Sequence, residues 1–207
     1  YVAVAITWNK RWVPYPFTSK INRHFGPILA ANAIFSKFPI TDQEVVTLPK
    51  PKNKSWLYHL FYLDRIIQHV SIQCPNRPKL NIFNSHLEAF HTGSRRAQLR
   101  RLYSKMMDFK DQPSLFTGDL NEPLLSDNHI STILSNDPDY GALEEDPYFD
   151  CLSSSHSQQY TYPSDHPTEQ LDYILVNPEQ IKISQEYTLK DTSHPSDHLA
   201  VIAEFSF

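Results

Sequence analysis

Prolines interrupt this chain so often that it cannot be built around long helices. Sixteen of them are spread over 207 residues, against only four glycines. Each proline removes a backbone donor and resists a helix interior, so the segments between them must be short. Between the breaks lie runs rich in Val, Ile, Leu and Phe with turn residues at their ends, the pattern of strands. Seven runs stand out: Tyr1–Thr7, Ala31–Ser36, Arg65–Gln73, Leu80–Ser85, Ser114–Thr117, Leu171–Val176 and Leu199–Phe205. The first alternates Val2, Val4 and Ile6 with Ala3 and Ala5, a two-residue period.

Helical spacing is confined to two places. Ser94–Phe109 sets Leu99, Leu102, Met106 and Phe109 on one side and basic residues on the other, with Ser94 as the expected N-cap. Asp127–Leu134 is a shorter candidate. Long connections are expected at Pro14–Pro27, Leu48–Trp56, Asn136–Phe149 and Ser153–Gln170. Many strands with few helices between them predict an α/β (α+β) chain with a mixed, mostly antiparallel sheet system and helices on its outer faces. The length suits a single domain over residues 1–207.

Composition narrows the function. At 40% hydrophobic and 20% charged residues the chain is ordinary for a globular protein, and a net charge of −4 gives no overall basic field to draw nucleic acid or anionic membrane. Cys74 and Cys151 are too few for a disulfide framework. No apolar run reaches the roughly 18 residues of a spanning helix. No secretory signal pattern is present, so the expected location is cytoplasmic. The chain starts at Tyr1 inside a strand pattern, so an N-terminally incomplete chain is expected.

The chemistry gathers at strand ends. Ser114–Thr117 runs into Gly118-Asp119-Leu120-Asn121. Gly118 is expected to turn the backbone sharply and let it approach a ligand. Asp119 and Asn121 should point the same way, as alternate residues of extended chain do. A carboxylate beside an amide suits a divalent cation and phosphate oxygens. His86 follows Leu80–Ser85, Asp172 sits at the start of Leu171–Val176, and Asp197-His198 precede Leu199–Phe205. If these strands pair antiparallel, both kinds of end meet at one sheet edge. Each site alone has a bland reading, since Asp and Asn favour turns and histidines often sit on surfaces. Asp172 resists that reading, because a carboxylate in an apolar strand costs several kcal/mol unless it is paired. Together the bland readings would require four independent coincidences.

Asn84-Ser85-His86-Leu87-Glu88, Thr117-Gly118-Asp119-Leu120-Asn121, Leu171-Asp172-Tyr173-Ile174-Leu175 and Ser196-Asp197-His198 occur in the order expected of the endonuclease/exonuclease/phosphatase superfamily, and Asn32–Ile40 resembles the strand before its central region. The resemblance covers nearly the whole chain. It implies a DNase I-like four-layer sandwich, two packed mixed β-sheets flanked by helices. It also implies divalent-metal-dependent hydrolysis of a phosphate ester, above all a phosphodiester, with Mg2+ as cofactor and Mn2+ substituting. By the same resemblance Asp119 activates the attacking water and Asn121 orients it or holds a phosphate oxygen. His198 contacts the scissile phosphate, with Asp172 orienting it. His86 stabilises a non-bridging oxygen or helps protonate the leaving group. Asp197, with Asp119 and Asn121, forms the metal site. The substrate class stays open between nucleic acid, a sphingomyelin-type lipid and an inositol phosphate, and a monomer is expected. No lipid-inserting hairpin stands out.

Family members also supply an Asn and a metal-binding Glu ahead of the stretch that here begins at Tyr1. Gln43-Glu44 resembles that acidic pair but follows the Ala31–Ile40 segment, and reads as a surface loop. The missing Glu motivates a second expectation, a non-catalytic relative that acts as a binding module. Arg65, Arg95 and Arg96 read as solvated surface charges rather than phosphate binders. Tyr160-Thr161-Tyr162-Pro163 reads equally as a substrate mouth or as loop packing. His91, His156, His166 and His194 lack partners at ligand spacing and read as bystanders.

Overall fold

The strand Ile66–Gln73 (β4) is buried along its whole length except at its last residue, so both of its faces must be covered. It lies inside a six-stranded mixed sheet with Ile40–Thr47 (β3), Lys79–His86 (β5), Ser114–Asp119 (β6), Phe149–Asp150 (β7) and Asp172–Val176 (β8), in the order β3-β4-β5-β6-β8-β7. Only β5 and β6 run parallel; every other neighbour is antiparallel. Val2–Lys10 (β1) pairs with Ile28–Phe35 (β2), and Lys182–Leu189 (β9) with Ala200–Ser206 (β10), each pair antiparallel. Among the described residues the helices with defined bounds are Trp56–Phe61 (α1) and Thr92–Met107 (α2), with a 3-10 turn at Ile21–Arg23. The computed structural model describes residues 1–15, 19–123, 130, 134, 147–150, 160–190, 193 and 195–207.

The strand period sorts the core into two sides of the large sheet. Ile67, Phe83, Phe116 and Leu175 pack with Leu99, Leu102 and Met106 of α2. On the opposite face Val70 and Ile72 meet Ala3 and Ile34, while Leu80, Leu115 and Val176 meet Ile183 and Phe205. The result is an α/β sandwich: a helix layer, a six-stranded sheet and two antiparallel strand pairs. Among the described residues no helix is long and apolar enough to cross a membrane.

Several local expectations shift. β1 turns its small side inward: Ala3 and Ala5 are buried, while Val2, Val4 and Ile6 are each more than half exposed. The alanines leave room for the buried Gln68 amide to donate to the Ala3 carbonyl at 3.1 Å. Gln43-Glu44 lies in β3, not in a loop. Gln43 donates to the Val4 carbonyl at 3.1 Å, and Glu44 meets Lys105 at 3.0 Å. α2 starts earlier than Ser94, and its N-cap is His91, whose Nδ1 accepts from the Ser94 N–H at 3.2 Å. His91 is therefore a structural cap rather than a bystander. Of Asp127–Leu134, Ile130 and Leu134 are helical and fully buried. The remainder of that segment, most of Asn136–Phe149, part of Ser153–Gln170, Cys151, His156 and His194 lie outside the described residues. Pro14–Pro27 is tied at its ends by a bridge between Val13 and Phe25.

Candidate active site

Strand register builds the site. In the parallel pair β5–β6, His86 lies opposite Asp119; in the antiparallel pair β6–β8, Asp119 lies opposite Asp172. The carboxyl ends of β5 and β6 and the amino end of β8 thus meet, and three of the expected residues form one row across three adjacent strands. Their parity places them on the sheet face that meets the strand pairs. β10 begins two residues after His198, which swings beside this row.

Gly118 holds that row together in a way the sequence did not suggest. It sits inside β6 with φ +148°, opposite Ser85, and a Cβ there would stand 2.1 Å from the Ser85 carbonyl oxygen. The glycine serves close approach of two strands, not a turn around a ligand. The turn comes after Asp119. Asn121 has φ +52°, a left-handed conformation that Asn tolerates better than most residues. Asp119 and Asn121 therefore converge through a turn rather than along extended chain. Asp119 Oδ1 accepts from the Asn121 backbone N–H at 2.7 Å, and Asn121 Nδ2 donates to Asp119 Oδ2 at 3.2 Å and to the Leu87 carbonyl at 3.1 Å.

The tightest contact is His198 Nδ1 to Asp172 Oδ2 at 2.6 Å, both side chains about three-quarters buried. Burial opposes a charge on His198. The Asp172 bond and the negative charges of Asp172, Asp119 and Asp197 outweigh it, so its pKa is raised. Burial, together with the Asp172 charge, pushes Asp119 up to about 6 against the Asn121 N–H bond. His86 Nε2 lies 3.5 Å from Asp119 Oδ2, too far for a good hydrogen bond. Desolvation of its inner edge, with the positive charges of Arg65 and His198, lowers His86 to about 4, so it is neutral at ordinary pH. Ligand atoms of Asp119, Asp172 and His198 lie within 4.8 Å of one another. Asp197 is exposed, outside that cluster, and its charge acts on both histidines.

Three supports went unread in the sequence. Arg65 is buried at 5% exposure and donates to the His86 carbonyl at 3.3 Å, so it is no solvated charge. Arg95 reaches the Glu88 and Ala89 carbonyls at 3.0 and 3.1 Å and pairs with Glu122, which pins the segment after His86. Thr161 is fully buried. Its hydroxyl accepts from the Leu171 and Asp172 N–H groups, and its carbonyl accepts from Leu199 N–H, so one residue clamps the strands carrying Asp172 and His198. Tyr162 lies against the His198 ring at 4.8 Å between centroids, and Ser164 binds the Asp197 and Ser196 carbonyls. The Tyr160–Pro163 stretch thus backs the site. His166 is exposed away from this network.

The sequence profile of the Endonuclease/Exonuclease/phosphatase family matches residues 3–198. No curated protein matches this sequence. Among solved structures, a mannosyl-6-phosphatase from Bacteroides thetaiotaomicron is similar over 100% of this chain and 77% of its own, with TM-score 0.65 and 17% identity. The human Nocturnin catalytic domain with bound sulfate is similar over 100% and 72%, with TM-score 0.63 and 16% identity. D. rerio TDP2 complexed with single-strand DNA product is similar over 100% and 86%, with TM-score 0.62 and 15% identity.

Proposed function

Because this chain belongs to the endonuclease/exonuclease/phosphatase family, whose members are generally phosphoester hydrolases, we propose that it hydrolyses a phosphate ester, with phosphodiesters as the first substrate class and magnesium as its cation. The observation that carries the reading is the 2.6 Å Asp172–His198 pair set beside Asp119. A phosphodiester accumulates negative charge as water attacks in line, and a site whose carboxylates favour the protonated form of His198 stabilises that charge. Asp172 holds Nδ1, which leaves His198 Nε2 to face a phosphate oxygen. Asp119 aligns the attacking water and receives its proton. Asn121 fixes the Asp119 carboxylate in that attitude. His86, neutral, donates an N–H to a non-bridging oxygen; titrating near 4, it rarely carries the second proton that a leaving group would need at ordinary pH.

The donor set fits a hard divalent cation. Asp119 and Asp172 face each other across the ladder and bring two carboxylates and an imidazole within reach of one centre. Asp172 is engaged by His198, so the residues proposed to hold the ion are Asp119 and Asn121, with Asp197, which lies outside the Asp119–Asp172–His198 cluster, contributing through water. When bound, the ion supplies Lewis-acid charge to the phosphate oxygens. The similarity to a mannosyl-6-phosphatase and to a TDP2 bound to single-strand DNA product supports phosphoester chemistry without choosing a substrate.

The test is hydrolysis of bis(p-nitrophenyl) phosphate and p-nitrophenyl phosphate with added Mg2+ or Mn2+. Turnover of the diester that EDTA abolishes is expected. Turnover unchanged by EDTA would remove the metal from the account, and preference for the monoester would replace phosphodiester by phosphomonoester.

A further inference from the structure

The helix α1 is built inside out. Of its six residues, Trp56, Leu57 and Leu60 stand 71%, 46% and 46% exposed, and none is buried. Phe90, four residues beyond His86, is 88% exposed and shares with Leu57 and Lys54 the lining of an aromatic cleft of about 650 Å³. Apolar side chains this large and this grouped are rarely left in water without a partner.

The platform beneath them is fixed. Ser55 caps the helix, accepting from the Tyr58 N–H. Lys50 Nζ binds the His59 and Tyr62 carbonyls, and the Trp8 indole donates to the Phe61 carbonyl at 2.8 Å. Charge identifies the partner. Residues 48–63 carry Lys50, Lys52 and Lys54 and no acid, in a chain of net charge −4. Lys50 is taken up by Asp64 at 2.9 Å, while Lys52 and Lys54 are exposed. Leu57 and Phe90 with Lys54 beside them in one cleft, and Trp56 and Leu60 one helical turn apart on α1, match the interface of an anionic bilayer, where aromatic rings and leucines enter the acyl boundary and ammonium groups stay among headgroups. A single nucleic-acid strand would stack on the rings but gain little from Leu57 and Leu60.

We propose that this face docks on an anionic lipid surface, with Trp56, Leu57, Leu60 and Phe90 entering the interface and Lys52 and Lys54 facing the headgroups. The inference goes beyond hydrolysis and does not depend on it. The sequence offers no lipid-inserting hairpin, which leans against a membrane lipid; the surface proposed here is a short helix and a loop instead.

Co-sedimentation of the full chain with sucrose-loaded vesicles tests it, using phosphatidylcholine alone and phosphatidylcholine mixed with phosphatidylglycerol. The mixed vesicles should capture the protein, with binding that weakens as salt rises. K52Q and K54Q should each weaken capture about five-fold. The exposed pair W56S/F90S should weaken it about ten-fold or more while the circular dichroism spectrum is unchanged. Should that variant misfold, wild-type tryptophan quenching by brominated-acyl lipid in mixed vesicles gives the answer: quenching supports insertion and its absence refutes it. The proposal is overturned by no capture on mixed vesicles, by unchanged capture of folded W56S/F90S, or by binding of a single-stranded oligonucleotide in place of vesicles. Vesicle capture without phosphodiester turnover would refute the proposed reaction alone.

Discussion

Replacing Gly118 by Ala adds one methyl group at the least forgiving point of the sheet. The new Cβ would stand 2.1 Å from the Ser85 carbonyl oxygen, 3.1 Å from its carbon and 3.2 Å from its nitrogen. All three atoms are backbone, so no side chain can rotate away. β5 and β6 are interior strands, and each is also paired on its far side, with β4 and β8. Moving either by the roughly 1 Å required disrupts a second ladder. A φ of +148° adds strain of about 1–3 kcal/mol for any L side chain. One or two weakened ladder bonds contribute about 1 kcal/mol each. The sum is about 2–5 kcal/mol, a lowering of the melting temperature by roughly 4–20 °C in a domain this size. Urea denaturation of G118A against wild type measures it. Because Ser85 and Gly118 each precede a site residue, His86 and Asp119, folded G118A should also lose most of its activity. A loss below about 1 kcal/mol would refute the claim that close strand approach explains this glycine.

Asp172→Asn removes the charge that favours the protonated form of His198 across 2.6 Å. It should lower kcat about 10- to 100-fold and lower the His198 pKa seen by NMR; an unchanged pKa would dissociate the pair from the mechanism. Thr161→Val orphans the Leu171 and Asp172 N–H groups and should cost about 1–3 kcal/mol in urea denaturation, with loss of activity; an unchanged midpoint would show that the clamp is not needed. His69 is a buried base whose pKa burial lowers, against its Asn81 bond and the charges of Glu44 and Asp42. The unfolded chain binds the proton more readily, so this contribution is present above about pH 6.5 and is lost as pH falls below it. The urea midpoint of wild type should therefore drop between about pH 7 and pH 5 more than that of His69→Gln; parallel curves would exclude His69 as the cause.

The sequence made strands legible where apolar runs were continuous, as in β4, β5, β6 and β8, because burial on both faces demands such runs. β3 and β9 were missed for the opposite reason. Each has a single paired neighbour and mostly exposed or half-buried side chains, so the runs ITDQEVVT and KISQEYTL need little apolar content. α1 was missed because six residues carry too little periodicity to read. The residues proposed to bear the chemistry were legible because they stand at strand ends, but not their register: nothing in the sequence says that His86, Asp119 and Asp172 share one row. Arg65 was misread because a buried guanidinium is rare. What makes it tolerable, the His86 carbonyl, is a long-range contact.

Single-turnover hydrolysis of a phosphodiester with saturating Mg2+, comparing wild type with Asp119→Asn and His198→Ala, tests the central claim most directly. Each folded variant should fall about 10²–10⁴-fold in rate, with the wild-type reaction silenced by EDTA. Wild-type rates in both variants, in protein that remains folded, would contradict the assignment of this sheet edge as the site of phosphoester hydrolysis.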